Sequence, residues 1–217
     1  LGREPDLIER FGVSRPSLRE ALRILEAEGL ISVVRGVLGG VVVHEPDERM
    51  TARTAALVLQ ARNVSLADVY EARRTLELTA ARIIASARGR KGAAAELRKL
   101  IDEQESVIDD PEEFGEANGR FHALLVSLAG NHTLAIVSEM LNEILGRAVT
   151  ALSRPEPGVD TAPVRRRGIK SQRRLAELIE AGDVDGAEEH WQKHMSVVGR
   201  IIVGQDAALP VDVTNYY

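Results

Sequence analysis

Three arginines, Arg15, Arg19 and Arg23, recur at intervals of four, and on a helix that interval sets them along one side. Leu18, Ala21, Leu22 and Leu25 share the neighbouring face, which would bind the helix to its own domain and leave the guanidinium groups outside. Guanidinium groups so displayed can grip phosphates or bond bidentately to guanine O6 and N7, the chemistry of a helix lying in a DNA major groove. Ser14 and Ser17 add hydroxyls at the helix start, where backbone N–H groups also attract phosphate. Spacing alone leaves an ordinary solvated arginine face equally open. A second constellation lies far downstream: Asn118 and His122 stand one helical turn apart and can address one point, as metal ligands must.

Both constellations need helices to hold them. Residues 6–11 read as a short helix ended by Gly12. Ser14 is a good N-cap, and Pro16 falls in the first turn of the next helix, where a missing N–H is tolerated. Gly29 is expected to end that helix in a left-handed conformation. ISVV (31–34) and GVVV (40–43) are β-branched runs around a Gly-bearing turn and read as a hairpin. A boundary is expected near Pro46–Asp47, giving a unit of residues 1–46, a connecting helix or linker at 47–63, a helical domain at 64–206 and an irregular tail at 207–217. Within the helical part, Ser65 with Asp68 resembles a capping box, and Asp110–Pro111 pairs an N-cap with a first-turn proline. Breaks are expected at Arg88–Gly92, Gly130–Asn131, 154–163 and Gly182–Asp183. The fold expected is mainly α: helix, turn, helix and hairpin, then an all-helical bundle of six to seven helices.

Composition agrees with that architecture. Of 217 residues, 44% are hydrophobic but only 3% aromatic, so aliphatic side chains must fill the core. There is no cysteine, which excludes disulfides, thiolate metal sites and thiol nucleophiles. No apolar run approaches the ~20 residues that span a bilayer, and a cytoplasmic protein with no membrane partner is expected. The net charge of −5 speaks against nucleic acid only until it is divided. Residues 1–46 hold six arginines against seven acidic residues, and a binding footprint depends on where positive charges sit rather than on their sum.

The string LIERFGVSRPSLREALRILEAEGLISVVRG…GG resembles the winged helix-turn-helix of the GntR regulators over nearly all of residues 1–44, most diagnostically in FGVSRPSLREALRILEAEGL (11–30). The resemblance implies a sequence-specific regulator of bacterial transcription, acting as a repressor on double-stranded operator DNA as a homodimer. It puts Arg15, Ser17 and Arg19 on operator-contacting positions, with Ser14 at the helix start and Arg35–Gly36 at the wing tip. In the family a DNA-contacting arginine precedes this segment. Pro5 stands in its place here, and Arg3, two residues away, is the candidate to take over the contact. The family's first helix would precede Leu1.

Three further stretches, YEARRTLE (70–77), FGEANGRFHALLVSLAGN (114–131) and RRLAELIEAGDVDGAEEHWQKHM (173–195), resemble the FCD ligand-binding domain of the FadR-like branch over roughly residues 64–205. That resemblance implies a pocket for a small carboxylate effector, often with a divalent metal such as zinc or nickel. It assigns the metal to Asn118, His122 and His194, with Gln172 filling the place of a third histidine. Glutamine is a poor transition-metal ligand, and His190, one turn before His194, is the candidate to compensate. The alternative is that His122 and His194 line the pocket without metal. Arg73 falls where such domains offer an arginine to the ligand, but Glu77 at i+4 could claim it instead. Arg147, in an otherwise apolar helix, is a second arginine for the effector. Trp191 reads as core or dimer packing. Two other classes remain on the page. A metal-dependent helical-bundle enzyme lacks a complete ligand set and any Ser-His-Asp order, and no enzyme activity is expected. An interaction module that has lost DNA binding would leave the arginine face without a role.

Overall fold

The computed structural model describes residues 1–34, 36, 39–45, 48–152, 162–202 and 210–211, without the side chains of 48, 49, 147–152, 201 and 202. The chain divides into two compact units, Leu1–Thr51 and Ala52–Tyr217. The division falls inside a helix rather than at Pro46–Asp47, where it was expected.

In the first unit, α1 (Glu4–Phe11) and α2 (Arg15–Ala27) precede an antiparallel pair, β1 (Ile31–Val34) and β2 (Gly40–Val43). Gly12, in the left-handed region at φ 63°, ends α1. Ser14 Oγ accepts the Ser17 N–H and caps α2, with Pro16 in its first turn. Gly29, at φ 73°, follows α2 as expected of a left-handed terminator. The strands pair Ile31 with Val43 and Val33 with Val41. Leu7, Leu18, Leu22, Ile31 and Val41 form the unit's core, with Ile8, Leu25 and Leu30 packed against it. This small core fixes α2 by the face beside its arginines.

A connecting helix α3 (Glu48–Ala61) leads to α4 (Leu66–Ser86), α5 (Arg90–Ser106), α6 (Pro111–Ser127), α7 (His132–Leu152), α8 (Ala162–Ala181) and α9 (Val184–Ile202). Six bundle helices thus follow the linker among the described residues. Ser65 and Asp110 cap α4 and α6 through their side-chain oxygens. Two breaks are shorter than expected. Arg90 is already helical, and α8 begins at Ala162 because a proline at the second helical position, here Pro163, sacrifices no hydrogen bond. The helix α4 packs along α9 and α7 and also meets α6 and α8, whereas α5 packs on α8 and α6. Its buried stripe runs Leu66, Val69, Tyr70, Arg73, Glu77, Ala80, Ala81, Ile84 and Ala85. Two charged residues, Arg73 and Glu77, therefore sit midway along the buried face of α4. Part of the tail, expected to be irregular, joins this core: Val211 is buried and donates its N–H to the Val64 carbonyl at 3.0 Å.

Candidate functional site

The arginine face of α2 is open to solvent. Arg15, Arg19 and Arg23 have side chains 62%, 64% and 79% exposed, and each meets a carboxylate. Arg19 Nε donates to Glu4 Oε1 at 2.9 Å, and Arg15 Nε approaches the same oxygen at 3.5 Å. Arg23 turns to Glu20 on its own helix at 3.2 Å. Ser14 and Ser17 share a hydroxyl hydrogen bond of 2.8 Å, and Arg3 is exposed just before α1. Gly36 is exposed at φ 120°, a backbone conformation that favours glycine. Arg35 lies outside the described residues.

In the second unit a polar cluster is built on Glu77, whose side chain is wholly buried. Its Oε1 accepts from Arg73 Nε at 2.7 Å, and its Oε2 accepts from Trp191 Nε1 at 2.9 Å and faces His122 Nδ1 at 2.8 Å. Arg73 is thus engaged by the intrahelical pair. Burial alone would push the Glu77 carboxyl up. The hydrogen bonds from His122 and Arg73, with the positive charge of Arg73, outweigh it and hold the group below the usual carboxylate range. Burial, and then Arg73, push His122 down, so the imidazole is neutral and donates through Nδ1 to the carboxylate. That tautomer leaves Nε2 as a lone-pair acceptor. Glu77 was weighed in the sequence only as a partner for Arg73, and its role as the centre of the cluster comes through helices distant in the chain.

Trp191, fully buried, organises the aromatic side of the cluster. Its ring stacks on His194 at 4.4 Å between centroids and lies 5.7 Å from His122 and 5.9 Å from Phe121. Trp191 is core, one of the two roles anticipated for it. Burial, then His122, bring His194 down to about 3. From α8, the buried Gln172 donates its Nε2–H to Asn118 Oδ1 at 2.9 Å. Its own Oε1 is buried without a hydrogen-bond partner. On α7, Ser138 Oγ and both amide atoms of Asn142, one turn apart, are likewise buried and unpartnered. The backbone of Arg147 lies in α7, but its side chain is outside the described residues.

The structure thus joins Arg73, His122 and His194 through Glu77 and Trp191, and ties Gln172 to Asn118, one turn before His122 on α6. Their donor chemistry does not fit a transition metal. His122 Nε2 is a suitable lone pair, with Glu77 behind it as the supporting carboxylate. However, Asn118 Oδ1 is taken by Gln172, and the remaining donors are neutral, beside a guanidinium. His190 does not complete the set, since its Nε2 bonds Ser171 at the backbone oxygen, 2.8 Å, and at Oγ, 3.1 Å. Among the described residues no three His, Asp or Glu side chains are placed to hold a metal ion.

Comparison with known proteins gives two family matches. The family described as "Bacterial regulatory proteins, gntR family" matches residues 1–43, and the FCD domain matches residues 68–197. The chain is 28% identical over 200 residues to a protein of Escherichia coli named "Putative L-lactate dehydrogenase operon regulatory protein", covering 90% of this chain and 74% of that one. It is 30% identical over 146 residues to the HTH-type transcriptional regulator LutR of Bacillus subtilis, covering 64% of each. In fold it resembles a solved GntR structure from Streptococcus agalactiae, with a TM-score of 0.64 at 19% identity, over 93% of this chain and 88% of that one.

The buried histidines make stability depend on pH. Unfolded, both imidazoles titrate near 6.5; folded, both titrate lower, His194 at about 3. As pH falls below 6.5 the unfolded chain gains protons that the folded chain refuses. Stability is therefore complete above that value and is lost as pH falls toward the folded pKa. At pH 5 the expected loss from His194 is about 2 kcal/mol, and His122 adds a loss of the same sign. Thermal melts between pH 7.5 and 4.5 should show it, with a shallower slope in His194→Gln. A midpoint constant down to pH 5 would contradict this account of the cluster.

Proposed function

The chain belongs to the GntR family of bacterial regulatory proteins and carries an FCD domain, and from that premise we propose that it is a homodimeric repressor that binds operator DNA through α2 and is controlled by a small carboxylate bound in its FCD unit. The observation that carries the DNA half is the disposition of α2: Leu18 and Leu22 anchor one face while Arg15 and Arg19 stay exposed on another. A helix held in that way can present guanidinium forks to base edges without disturbing its own core. Two-fold pairing is what lets so short a reading helix cover a full operator. A regulator acting on operator DNA would work in the cytoplasm, which is part of this proposal; no described helix is long and apolar enough to cross a membrane.

The effector half rests on the Glu77 cluster. Leaving a buried polar atom without a partner costs about 1–3 kcal/mol, so the unpartnered Gln172 Oε1, Ser138 Oγ and Asn142 amide favour a polar ligand that would satisfy them. A hydroxy acid suits this set, its hydroxyl donating to Gln172 Oε1 and its carboxylate accepting from the Asn142 amide N–H and the single N–H of a neutral His194. The name of the Escherichia coli relative, which concerns an L-lactate dehydrogenase operon, supports the same class. We read the site as working without a resident metal, because Gln172 ties Asn118 and offers only an amide where a third imidazole would be required.

Two experiments test these halves separately. Arg15→Ala and Arg19→Ala should each cost about 1–3 kcal/mol of specific binding to a duplex selected by the protein, with thermal stability unchanged; unaltered affinity in both would return these arginines to solvent. For the pocket, metal analysis after dialysis should find far less than one zinc or nickel per chain, and Gln172→His should raise metal affinity markedly. One tightly held metal in the unaltered protein would overturn the metal-free reading, and no gain from Gln172→His would show that residue 172 does not face His122.

A further inference from the structure

The first residue of α1 makes a contact that the DNA-reading role of α2 does not by itself require. Glu4 Oε1 serves Arg19 at 2.9 Å and Arg15 at 3.5 Å, and both arginines are met at Nε, the inner nitrogen of the guanidinium. Among the described residues no hydrogen bond engages the Nη groups of either, the end-on fork that fits guanine O6 and N7 or a phosphate. The carboxylate stands on a fixed backbone. Pro5 follows it, the Arg3 N–H bonds Asp6 across the first turn, and Leu7, 1% exposed, seats α1 in the core with Leu18 and Leu22. Arg23, by contrast, pairs within α2 and is not part of the arrangement.

We propose that Glu4 is a positioning residue for sequence reading: its carboxylate holds Arg15 and Arg19 as a pre-oriented pair, so that discrimination between DNA sequences depends on it while bare attraction to duplex does not. This rests on the operator-binding role of α2 proposed above. An unrestrained arginine samples many rotamers and grips whichever phosphate comes first, whereas guanine recognition needs the fork in one plane. The carboxylate also cancels one of two positive charges on the reading face, which lowers the sequence-independent, salt-sensitive part of binding. An exposed ion pair contributes little to folding, so the positioning role can be separated from a structural one.

The test uses the full-length protein and its Glu4→Ala and Glu4→Gln variants. Each selects from a random duplex pool, and each is then titrated with the duplex recovered by the unaltered protein and with a scrambled one, at two salt concentrations. Removing the carboxylate should tighten binding to the scrambled duplex and steepen its salt dependence by about one ion. The preference for the selected duplex should fall by about fivefold or more, and the sequences recovered by the variants should be less defined. Glu4→Gln, which keeps the size and one acceptor, should fall between, and the melting temperature should not move. Equal tightening on both duplexes, with an unchanged recovered motif, would overturn the proposal and leave Glu4 as a mere repeller of phosphate. A drop in melting temperature in both variants would overturn it in favour of a structural role. Failure of the unaltered protein to recover any motif would overturn the operator-binding reading itself, and this inference with it.

Discussion

A carboxylate cut off from water must be surrounded by donors or it will be protonated, and Glu77 is the group on which the FCD unit turns. Its three partners come from three helices: Arg73 on its own α4, His122 on α6 and Trp191 on α9. Each partner satisfies one demand of the buried charge, and together they fix the register of α6 and α9 against α4. The geometry is specific because dispersal is expensive. Removing one member of a buried charge pair typically costs about 3–5 kcal/mol, since the other is left uncompensated. The same carboxylate sets the tautomer of His122, the orientation of the Trp191 indole and, through the stacked ring, the place of His194. The polar face that we propose for an effector would thus extend the bundle's structural centre, and a ligand bound there would act on the contacts that hold three helices together.

The two units use arginine in opposite ways. In the helical unit Arg73 is buried and committed to one carboxylate, which it neutralises. In the first unit Arg15 and Arg19 are exposed, and the Glu4 carboxylate meets them at Nε. A buried arginine of the first kind specifies structure, while an exposed one of the second kind remains available to a partner. The small core beneath α2 has five buried side chains, enough to fix the helix while leaving its reading face free.

Much of this was legible from local chemistry. The β-branched runs gave both strands with the bounds the structure shows, and Ser14, Ser65 and Asp110 marked helix starts because a side-chain oxygen at those positions satisfies exposed N–H groups. Asn118, His122 and Gln172 were also singled out, and the structure brings the first and last into a hydrogen bond across 54 positions. What stayed hidden was tertiary. Arg73 with Glu77 could be seen at i+4, but spacing could not decide between a ligand-facing arginine and an internal pair. The resolution lies in partners 45 and 114 residues from Glu77. The seating of Val211 beside Val64 was equally invisible, since nothing in a short apolar tail says which helix end it will cover.

The tautomer of His122 tests the central claim most directly. Long-range proton–nitrogen correlation spectra of the folded protein at pH 7, with His122 assigned by comparison with His122→Gln, report which ring nitrogen carries the proton. If Glu77 is ionised and organises the cluster, His122 will be neutral, with the proton on Nδ1 and Nε2 resonating as an unprotonated nitrogen, and Glu77→Gln will disturb that pattern. A neutral His122 protonated on Nε2, or one unaffected by Glu77→Gln, would contradict the account.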